Sequence, residues 1–411
     1  MTDRLLTTPF TLKSGLVLKN RLLKSAMSEG LGTTDNHVTN ELATLYGRWA
    51  EGGIGLSVTG NVMVDRRALG EPNNVALEDD SDAELLRAWA EAGKRDGARI
   101  FMQLNHPGKQ APKGLNAETV APSAVPFDPS LAAFFSTPRE LRTEEIDDIV
   151  ERFARSAKLA RDAGFDGVQI HGAHGYLVSQ FLSPHHNRRQ DAWGGSAENR
   201  RRFPLAILRA IRAACGPSFP VGIKLNSADF QRGGFTEEES LAVIAELARE
   251  GIDFVEISGG TYEAPVMSGR RATSERTAAR EAYFLDFATK VRATVDVPLC
   301  VTGGFRTSAG MEQALREGAL DLVGLARPLA IDPDFPNKVL AGEATAAVRP
   351  ITTGIRKIDD AALMEVSWYS LQLRRMGRGL APKPDKSALL SLVEIACEGG
   401  IRTFRTRRLR A

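Results

Sequence analysis

Short runs of apolar residues recur along the chain and alternate with longer segments that have the spacing of amphipathic helices. Eight runs have the length of a strand, about four to seven residues each. They lie near the following residues: Leu22, Ile54, Ile100, Val168, Val221, Phe254, Leu299 and Val323. Helical spacing is clear in five intervening segments, each with Ser or Thr at its start as a candidate N-cap: Thr39–Ala50, Ser81–Asp96, Thr143–Ala163, Thr236–Glu250 and Ser308–Glu317.

The joins between helices and strands repeat one pattern. The segments "DAGFDGV", "REGIDFV" and "REGALDLV" each end a helix at a glycine and then begin a strand. The glycine fingerprint of a Rossmann fold, G-x-G-x-x-G, follows none of the predicted strands. Eight repeated strand–helix units therefore predict an α/β protein with a (β/α)8 TIM barrel over residues 1–343.

Two stretches interrupt the alternation. Residues 106–142 form a long, proline-containing insertion after strand 3, and connections of that length in compact domains are commonly lids or binding loops. Residues 344–411 contain "IDDAALMEVSWYSLQLRRMG", the pattern of an amphipathic helix, and the arginine-rich end "RTFRTRRLRA". We expect these residues to form a helical C-terminal extension whose basic end is solvated surface.

The amino-acid composition limits the kinds of molecule that we expect the protein to bind. The 411 residues include 53 Lys and Arg and 51 Asp and Glu, so a net charge of +2 attracts neither nucleic acid nor a membrane surface. The three cysteines, Cys215, Cys300 and Cys397, have no CxxC spacing, which opposes a disulfide framework or an iron–sulfur cluster. Without a signal peptide or a long apolar run, we expect a cytoplasmic protein that binds small molecules and is able to form a homo-oligomer.

The C-terminal ends of the strands form the ligand face of such a barrel, and here they are polar and rich in glycine. After the seventh strand, Gly303 and Gly304 precede a helix, and Arg327 stands at the end of the eighth strand. Free backbone N–H groups beside a guanidinium predict a phosphate-binding site. The alternative is a tight turn at the glycines and an ion pair between Arg327 and a surface acid.

The fourth strand ends in "HGAHGY", which places His171 and His174 three residues apart, with Tyr176 two further on. A helix beginning there would put both imidazoles on one face. As neutral N–H donors they suit the polarisation of a carbonyl, and the Tyr176 phenol suits proton delivery. A metal is disfavoured because the common ligand spacings are missing, although the following residues are candidates for a third ligand: His185, His186 and Asp191.

The segment "HGAHGYLVSQFLSPHHNRRQDAWGGSAENRRRF" strongly resembles the signature of the old yellow enzyme family, the NAD(P)H:flavin oxidoreductases. The segments "LKNRLLKSAM" and "VTGGFR…GLARPL" resemble the family's first and last strands. The resemblance covers about residues 5 to 340 and implies a barrel with non-covalent FMN. It also implies ping-pong chemistry, in which NADH or NADPH reduces FMN and hydride then passes to the β-carbon of an activated alkene.

The resemblance also assigns roles to individual residues. It implies that His171 and His174 hold the substrate carbonyl and that Tyr176 donates a proton to the α-carbon. Gln103 and Lys224 would bond the pyrimidine edge of the flavin. The remaining implied FMN contacts are the ring-lining Ser25, Ala26, Met27, Ser28 and Gly60 and the phosphate-binding Gly303, Gly304, Ala326 and Arg327.

Three positions depart from the family pattern. Lys224 stands where many members have arginine, Ser28 where relatives often have cysteine or threonine, and Ala26 where proline is frequent. These exchanges keep every catalytic group and indicate tuning of the flavin.

Two other functions stay open: a metal-dependent barrel hydrolase that uses His171 and His174, and a non-catalytic flavin-binding barrel. The physiological alkene and the choice between NADH and NADPH are not encoded in recognisable motifs.

Overall fold

Eight parallel strands close into a barrel in the computed structural model, which describes residues 4–261, 263, 282, 284–343, 346, 348, 351–355, 363–391 and 393–394. Each strand pairs with the next along the chain, and the eighth pairs with the first. The strands are β1 (Leu22–Lys24), β2 (Leu56–Met63), β3 (Arg99–Asn105), β4 (Gly167–Gly172), β5 (Val221–Asn226), β6 (Phe254–Ser258), β7 (Leu299–Thr302) and β8 (Leu322–Leu325). The predicted (β/α)8 barrel is confirmed.

Helices follow the strands and cover the outside of the barrel. They are α1 (Asn40–Glu51), α2 (Ala83–Gly93), α3 (Thr143–Asp162), α4 (Leu177–Leu182), α5 (Ala197–Cys215), α6 (Glu237–Arg249), α7 (Leu285–Arg292), α8 (Ser308–Arg316), α9 (Arg327–Ile331), α10 (Phe335–Ala341) and α11 (Leu363–Gly377). The five segments with helical spacing correspond to α1, α2, α3, α6 and α8. Their apolar positions face the barrel, which is why periodicity located them well.

The helix caps follow the sequence less closely. Thr236 accepts a hydrogen bond from the Glu239 N–H and caps α6 as expected. Asp82 and not Ser81 is the N-cap residue of α2, so the N-cap prediction is wrong for Ser81. It is also wrong for Thr143 and Ser308, which lie inside α3 and α8. The residue before each of them has the extended backbone of an N-cap instead, so the helix begins one residue earlier than the cap prediction places it.

Apolar side chains fill the lower part of the barrel interior. The strands contribute Leu23, Leu56, Val58, Phe101, Phe254, Cys300 and Leu322. Leu12 and Leu18 belong to the same cluster and come from an antiparallel hairpin that pairs Phe10–Thr11 with Val17–Leu18. The hairpin therefore packs against the end of the barrel at which the strands begin. The opposite end, where the strands terminate, remains available for ligands.

The predicted insertion and C-terminal extension are both present. The insertion connects β3 to α3 and contains two short paired strands, Val120–Ala121 and Arg139–Glu140. In the extension, α11 buries Trp368, Leu373 and Met376 in the same hydrophobic cluster as the outer face of the barrel. The boundary between residues 343 and 344 stays a prediction, and the arginine-rich end lies outside the described residues. No helix in the described part of the chain is long and apolar enough to cross a membrane.

Candidate active site

A layer of polar side chains lies directly above the apolar layer inside the barrel. Its members are Ser25, Gln103, Gln169, Lys224, Glu256 and Thr302, and all but Thr302 are buried. Side chains on a strand alternate between its two faces, so the residue two positions after an interior apolar residue is also interior. Phe101 and Phe254 are followed in this way by Gln103 and Glu256. The sequence-predicted Gln103 and Lys224 therefore share one interior layer.

Hydrogen bonds connect this layer across four neighbouring strands. Gln103 Nε2 donates to Gln169 Oε1 at 2.8 Å, and Gln169 Nε2 donates to Glu256 Oε2 at 2.7 Å. Lys224 Nζ lies 3.1 Å from Glu256 Oε1. Each side chain is held by its neighbour, so the Gln103 amide and the Lys224 ammonium keep fixed positions below the barrel mouth.

Glu256 is the buried acid at the centre of the layer. Burial alone would raise its pKa, but the Lys224 charge and the hydrogen bonds from Thr302 and Gln169 keep the pKa below its ordinary value. Thr302 Oγ1 donates to Glu256 Oε1 at 2.7 Å and also lies 2.6 Å from Ser25 Oγ. The carboxylate is therefore ionised and compensates the charge of Lys224 inside the barrel.

His171 and His174 lie one layer higher, at the barrel mouth, with Tyr176 beside them. The two imidazole centroids are 5.3 Å apart, and the His171 and Tyr176 rings are 4.8 Å apart. The expectation that a helix places both imidazoles on one face is wrong. His171 is the penultimate residue of β4, His174 lies in a turn, and α4 begins only after Tyr176.

The turn at His174 needs an uncommon backbone. Its φ is +62°, in the left-handed region that few non-glycine residues adopt, and Gly175 follows with a φ of +79°. The His174 N–H donates to Asn226 Oδ1 at 3.1 Å, and His174 Nε2 lies 2.8 Å from Ser258 Oγ. Asn226 in β5 thus holds the backbone of His174, and Ser258 in β6 holds its side chain. No sequence motif singles out either of these two residues.

Both histidines are neutral near physiological pH. Burial lowers the pKa of His174 to about 3, and the positive charge of Lys224 acts in the same direction. Burial also places the pKa of His171 well below its ordinary value, with smaller effects from His174 and Lys224. Each ring therefore offers one N–H donor and one acceptor, which suits binding of a neutral carbonyl oxygen.

We predict that these buried rings make the fold sensitive to mild acid. Burial also lowers the pKa of His106 to about 4 and that of His186 well below its ordinary value. Below a pH of about 6.5 the unfolded chain therefore binds more protons than the folded one. This difference lowers the free energy of unfolding by up to about 1.4 kcal/mol for each histidine and each pH unit. The free energy of unfolding should therefore fall as the pH drops from 7.5 to 5, and most steeply below 6.5, where the histidines of the unfolded chain become protonated.

Urea unfolding of the wild type at a series of pH values measures this slope. His106→Asn is the matched variant, because its side-chain oxygen preserves an acceptor for the Gly108 N–H that now bonds His106 Nδ1 at 3.1 Å. The variant should lose part of the slope. A wild-type stability that does not change between pH 6.5 and 5 would contradict the prediction.

Gly303 and Gly304 follow β7, and Arg327 follows the neighbouring strand β8 at the same end of the barrel. Gly303 and Gly304 have φ values of +115° and +99°, which favour glycine at both positions and turn the chain sharply before α8. Ala326 is the N-cap position of α9 and Arg327 its first residue. Arg327 Nη1 lies 2.7 Å from Glu365 Oε1 in α11, so the arginine does pair with an acid, although with a buried one and not a surface one.

The loop after β1 carries the other sequence-predicted residues. Ala26 packs against the apolar barrel interior and Met27 against the outer hydrophobic cluster. Ser28 Oγ donates to Glu71 Oε2 at 2.5 Å. Gly60 lies in β2 beside this loop, and a Cβ there would collide with the carboxylate of Glu29. Gly60 therefore lies directly beside the backbone of this loop, and we call residues 25–28 together with Gly60 the wall.

Sequence reasoning missed the buried charges behind this wall. Glu29 Oε1 accepts from the Gly60 N–H at 2.9 Å and from the Tyr46 hydroxyl. Lys24 Nζ in turn donates to Tyr46 at 2.9 Å and to the Val58 carbonyl at 2.7 Å, and burial lowers the pKa of Lys24 to about 7. A lysine inside the predicted strand "RLLKSAM" was the available signal, because a buried strand rarely contains an unpaired charge.

The histidines at the barrel mouth lack the ligands of a metal centre. In the part of the chain that the structure describes, one group could hold an ion, and it contains neither His171 nor His174. Asp191, a candidate third ligand in the sequence, is instead bound by Arg189 Nη2 at 2.5 Å. The charge of Lys224 near both rings also opposes a cation. This geometry does not support the hydrolase alternative.

The group that could hold an ion is His185, His186 and Glu263, whose ligand atoms lie within 4.8 Å of one another. His186 Nε2 is 3.6 Å from Glu263 Oε2, so His186 and Glu263 connect the loop after α4 to the segment after β6. After burial, the charges of Lys109 and Arg188 contribute to the low pKa of His186. The same charges disfavour a dication, and His185 and His186 are better described as part of a loop contact.

The polar groups at the barrel mouth match the chemistry of FMN. Gln103 offers an amide donor and acceptor, and Lys224 offers a positive charge, which together suit a ring edge with carbonyl and N–H groups. The positive-φ turn at Gly303 and Gly304 follows β7, and Arg327 follows the neighbouring strand β8, an arrangement that suits a phosphate. FMN presents both kinds of group in one molecule, so the residues present fit it.

Comparisons with known proteins agree with this arrangement. A model of the NADH:flavin oxidoreductase / NADH oxidase family matches residues 5–345. The chain is 40% identical over 355 residues to the NADH-dependent flavin oxidoreductase iliE of Hypocrea jecorina, covering 81% of this chain and 88% of that protein. The corresponding protein of Neonectria sp. is also 40% identical, but the match covers 83% of this chain and only 48% of that longer relative.

A solved structure supports the same assignment. Morphinone reductase in complex with tetrahydroNAD superimposes with a TM-score of 0.71 at 27% identity, over 85% of this chain and 93% of that one. The expected cofactor FMN and a nicotinamide electron donor are thereby confirmed, and the chain belongs to the NADH:flavin oxidoreductase family, the family of the old yellow enzymes.

Proposed function

We propose that the protein is an ene-reductase, which saturates the carbon–carbon double bond of an enone or a similarly activated alkene. The observation that carries the proposal is the cluster of His171, His174 and Tyr176, which lies above the polar layer and contains two neutral imidazoles. The chemistry that FMN would supply when bound is transfer of a hydride from NADH or NADPH to the β-carbon of the alkene.

His171 and His174 would hold the carbonyl oxygen of the substrate. Negative charge develops on that oxygen as the β-carbon gains hydride, and prepositioned N–H donors stabilise it without protonating it first. Asn226 and Ser258 fix His174 in place, so little reorganisation is needed during the reaction.

Tyr176 would then deliver a proton to the α-carbon, which completes the saturation of the double bond. Its ring lies 4.8 Å from that of His171, and the residue is buried at the N-terminus of α4. The resulting phenolate would regain its proton from solvent.

The remaining site residues would hold the cofactor. Gln103 and Lys224 would contact the ring edge, and the positive charge of Lys224 favours reduced, anionic flavin. The ring would lie along the wall that contains Ser25, Ala26, Met27, Ser28 and Gly60. Its phosphate would be bound by Gly303, Gly304, Ala326 and Arg327.

An anaerobic two-step titration tests the proposal. Purified yellow protein is first bleached with NADH, the donor named for the relatives in Hypocrea jecorina and Neonectria, and then with NADPH in a parallel sample. Cyclohexenone is added after bleaching. We expect the oxidised flavin spectrum to return with formation of one equivalent of cyclohexanone. Bleaching without reoxidation by any enone, nitroester or quinone would instead favour the non-catalytic flavin-binding barrel.

A further inference from the structure

The helix α11 of the C-terminal extension lies between two segments of the proposed FMN site. On one side it contacts the loop after β1, which contains Ser28, and on the other it contacts the start of α9, which contains Arg327. These segments belong to the first and the last strand of the barrel, which are themselves adjacent. One helix therefore contacts both the proposed ring wall and the proposed phosphate group.

The contacts to the loop after β1 are made to its backbone. Ser370 Oγ donates to the Ser28 carbonyl at 2.8 Å, and Arg374 Nε donates to the Glu29 carbonyl at 3.3 Å. Gly30 follows with a φ of +58°, and a Cβ at that position would lie only 3.0 Å from Arg374 Nη2. Ser370 and Arg374, one helical turn apart, thus fix the path of three consecutive residues.

The contact to α9 is an ion pair. Glu365 Oε1 lies 2.7 Å from Arg327 Nη1, and the Glu365 side chain is 9% exposed. The pair fixes the orientation of the guanidinium at the start of α9. Arg327 is the first residue of α9, so the pair also connects the start of that short helix to α11.

α11 is itself firmly packed, which allows it to hold its neighbours. Trp368, Leu373 and Met376 are each 1% exposed within the main hydrophobic cluster. At the end of the helix, a Cβ on Gly377 would lie 3.0 Å from Leu31 Cδ1 and 3.1 Å from the Glu41 carbonyl. The helix therefore approaches the barrel closely through contacts that are independent of its polar ones.

We propose that α11 is a positioning element of the FMN site, and that binding of FMN and docking of α11 stabilise each other through Ser370, Arg374 and Glu365. The inference rests on the proposed placement of the flavin. Coupling between two sites is reciprocal, so the helix should strengthen FMN binding by the same factor by which FMN favours the docked helix. Both directions can be measured.

The first measurement is the dissociation constant of FMN, obtained by quenching of flavin fluorescence. The double variant Ser370→Ala with Arg374→Leu should raise it about 10-fold, within the usual range of coupling between sites. Arg378→Gln is the matched control, because it removes a charge directly after the end of α11. Arg378 Nε lies 3.6 Å from Glu41 Oε1 in α1, which is not part of the proposed FMN site. The control should stay within about twofold of the wild type.

The second measurement is hydrogen exchange of the wild-type protein with and without FMN, which needs no variant and so remains informative if the double variant folds poorly. We expect FMN to slow exchange of residues 363–377 and of residues 26–30 together. A helix that only stabilises the fold would lower the melting temperature when altered, but would leave the FMN dissociation constant and this FMN-dependent protection unchanged. Either unchanged result overturns the proposal. Failure of enone reduction with both effects present would count against the proposed function alone.

Discussion

Replacement of Tyr176 by phenylalanine should leave reduction of the flavin by NADH at its wild-type rate and slow reoxidation by cyclohexenone by about 10²- to 10⁴-fold. The hydroxyl is the proposed proton source for the α-carbon, whereas hydride transfer from the nicotinamide requires no proton from the protein. The phenyl ring keeps the packing against His171, whose ring centroid lies 4.8 Å from that of Tyr176. Anaerobic stopped-flow measurements of the two half-reactions separate the two effects.

The reductive half-reaction is the internal control for folding and for cofactor content in this experiment. A second check uses D2O, in which the wild-type oxidative half-reaction should slow if proton delivery contributes to its rate. Equal enone rates in the wild type and Tyr176→Phe would remove Tyr176 from the mechanism. A parallel loss of both half-reactions would indicate that the substitution disturbs the flavin site and not proton transfer.

Replacement of Glu256 by leucine should lower the free energy of unfolding by about 3–5 kcal/mol, the usual cost of leaving one member of a buried ion pair uncompensated. Lys224 would lose the carboxylate that lies 3.1 Å from its Nζ. Gln169 and Thr302 would lose the acceptor of a buried hydrogen bond. Urea unfolding of the FMN-free protein measures the loss without the stabilisation that a bound cofactor adds.

Two further variants separate charge from packing in this layer. Glu256→Gln keeps an acceptor and the side-chain volume, so its loss should come mainly from the unpaired charge of Lys224. The combination of Glu256→Leu with Lys224→Met removes both charges and should recover part of the stability. A double variant that is less stable than Glu256→Leu alone would contradict the assignment of the cost to the charge of Lys224.

The resemblance and the strand periodicity together predicted most of the candidate site. Gln103 and Lys224 lie in strands whose alternation places them inside the barrel, and the structure does bring them into one layer. His171 follows Gln169 by two residues and is therefore also interior. The structure likewise brings Gly303, Gly304 and Arg327 to the same end of the barrel, because parallel strands all terminate there.

Local sequence patterns could not predict which residues these side chains contact. Glu256 pairs with Lys224, and Asn226 supports His174, and in both cases the two residues are remote from each other in sequence. A left-handed residue at His174 had no signal in the sequence, and a helix was the wrong expectation for that turn. Likewise, Glu365 joins Arg327 over a sequence separation of 38 residues.

The sequence by itself determined the alternation of strands and helices, the closed barrel and the end of it that holds the chemistry, because periodicity and strand order are local properties repeated along the chain. The tertiary structure alone decided which charges meet in the interior, that both histidines are neutral, and that α11 lies against two segments of the proposed FMN site. Those properties depend on burial and on distances between residues remote in sequence, and both come into existence only when the barrel closes.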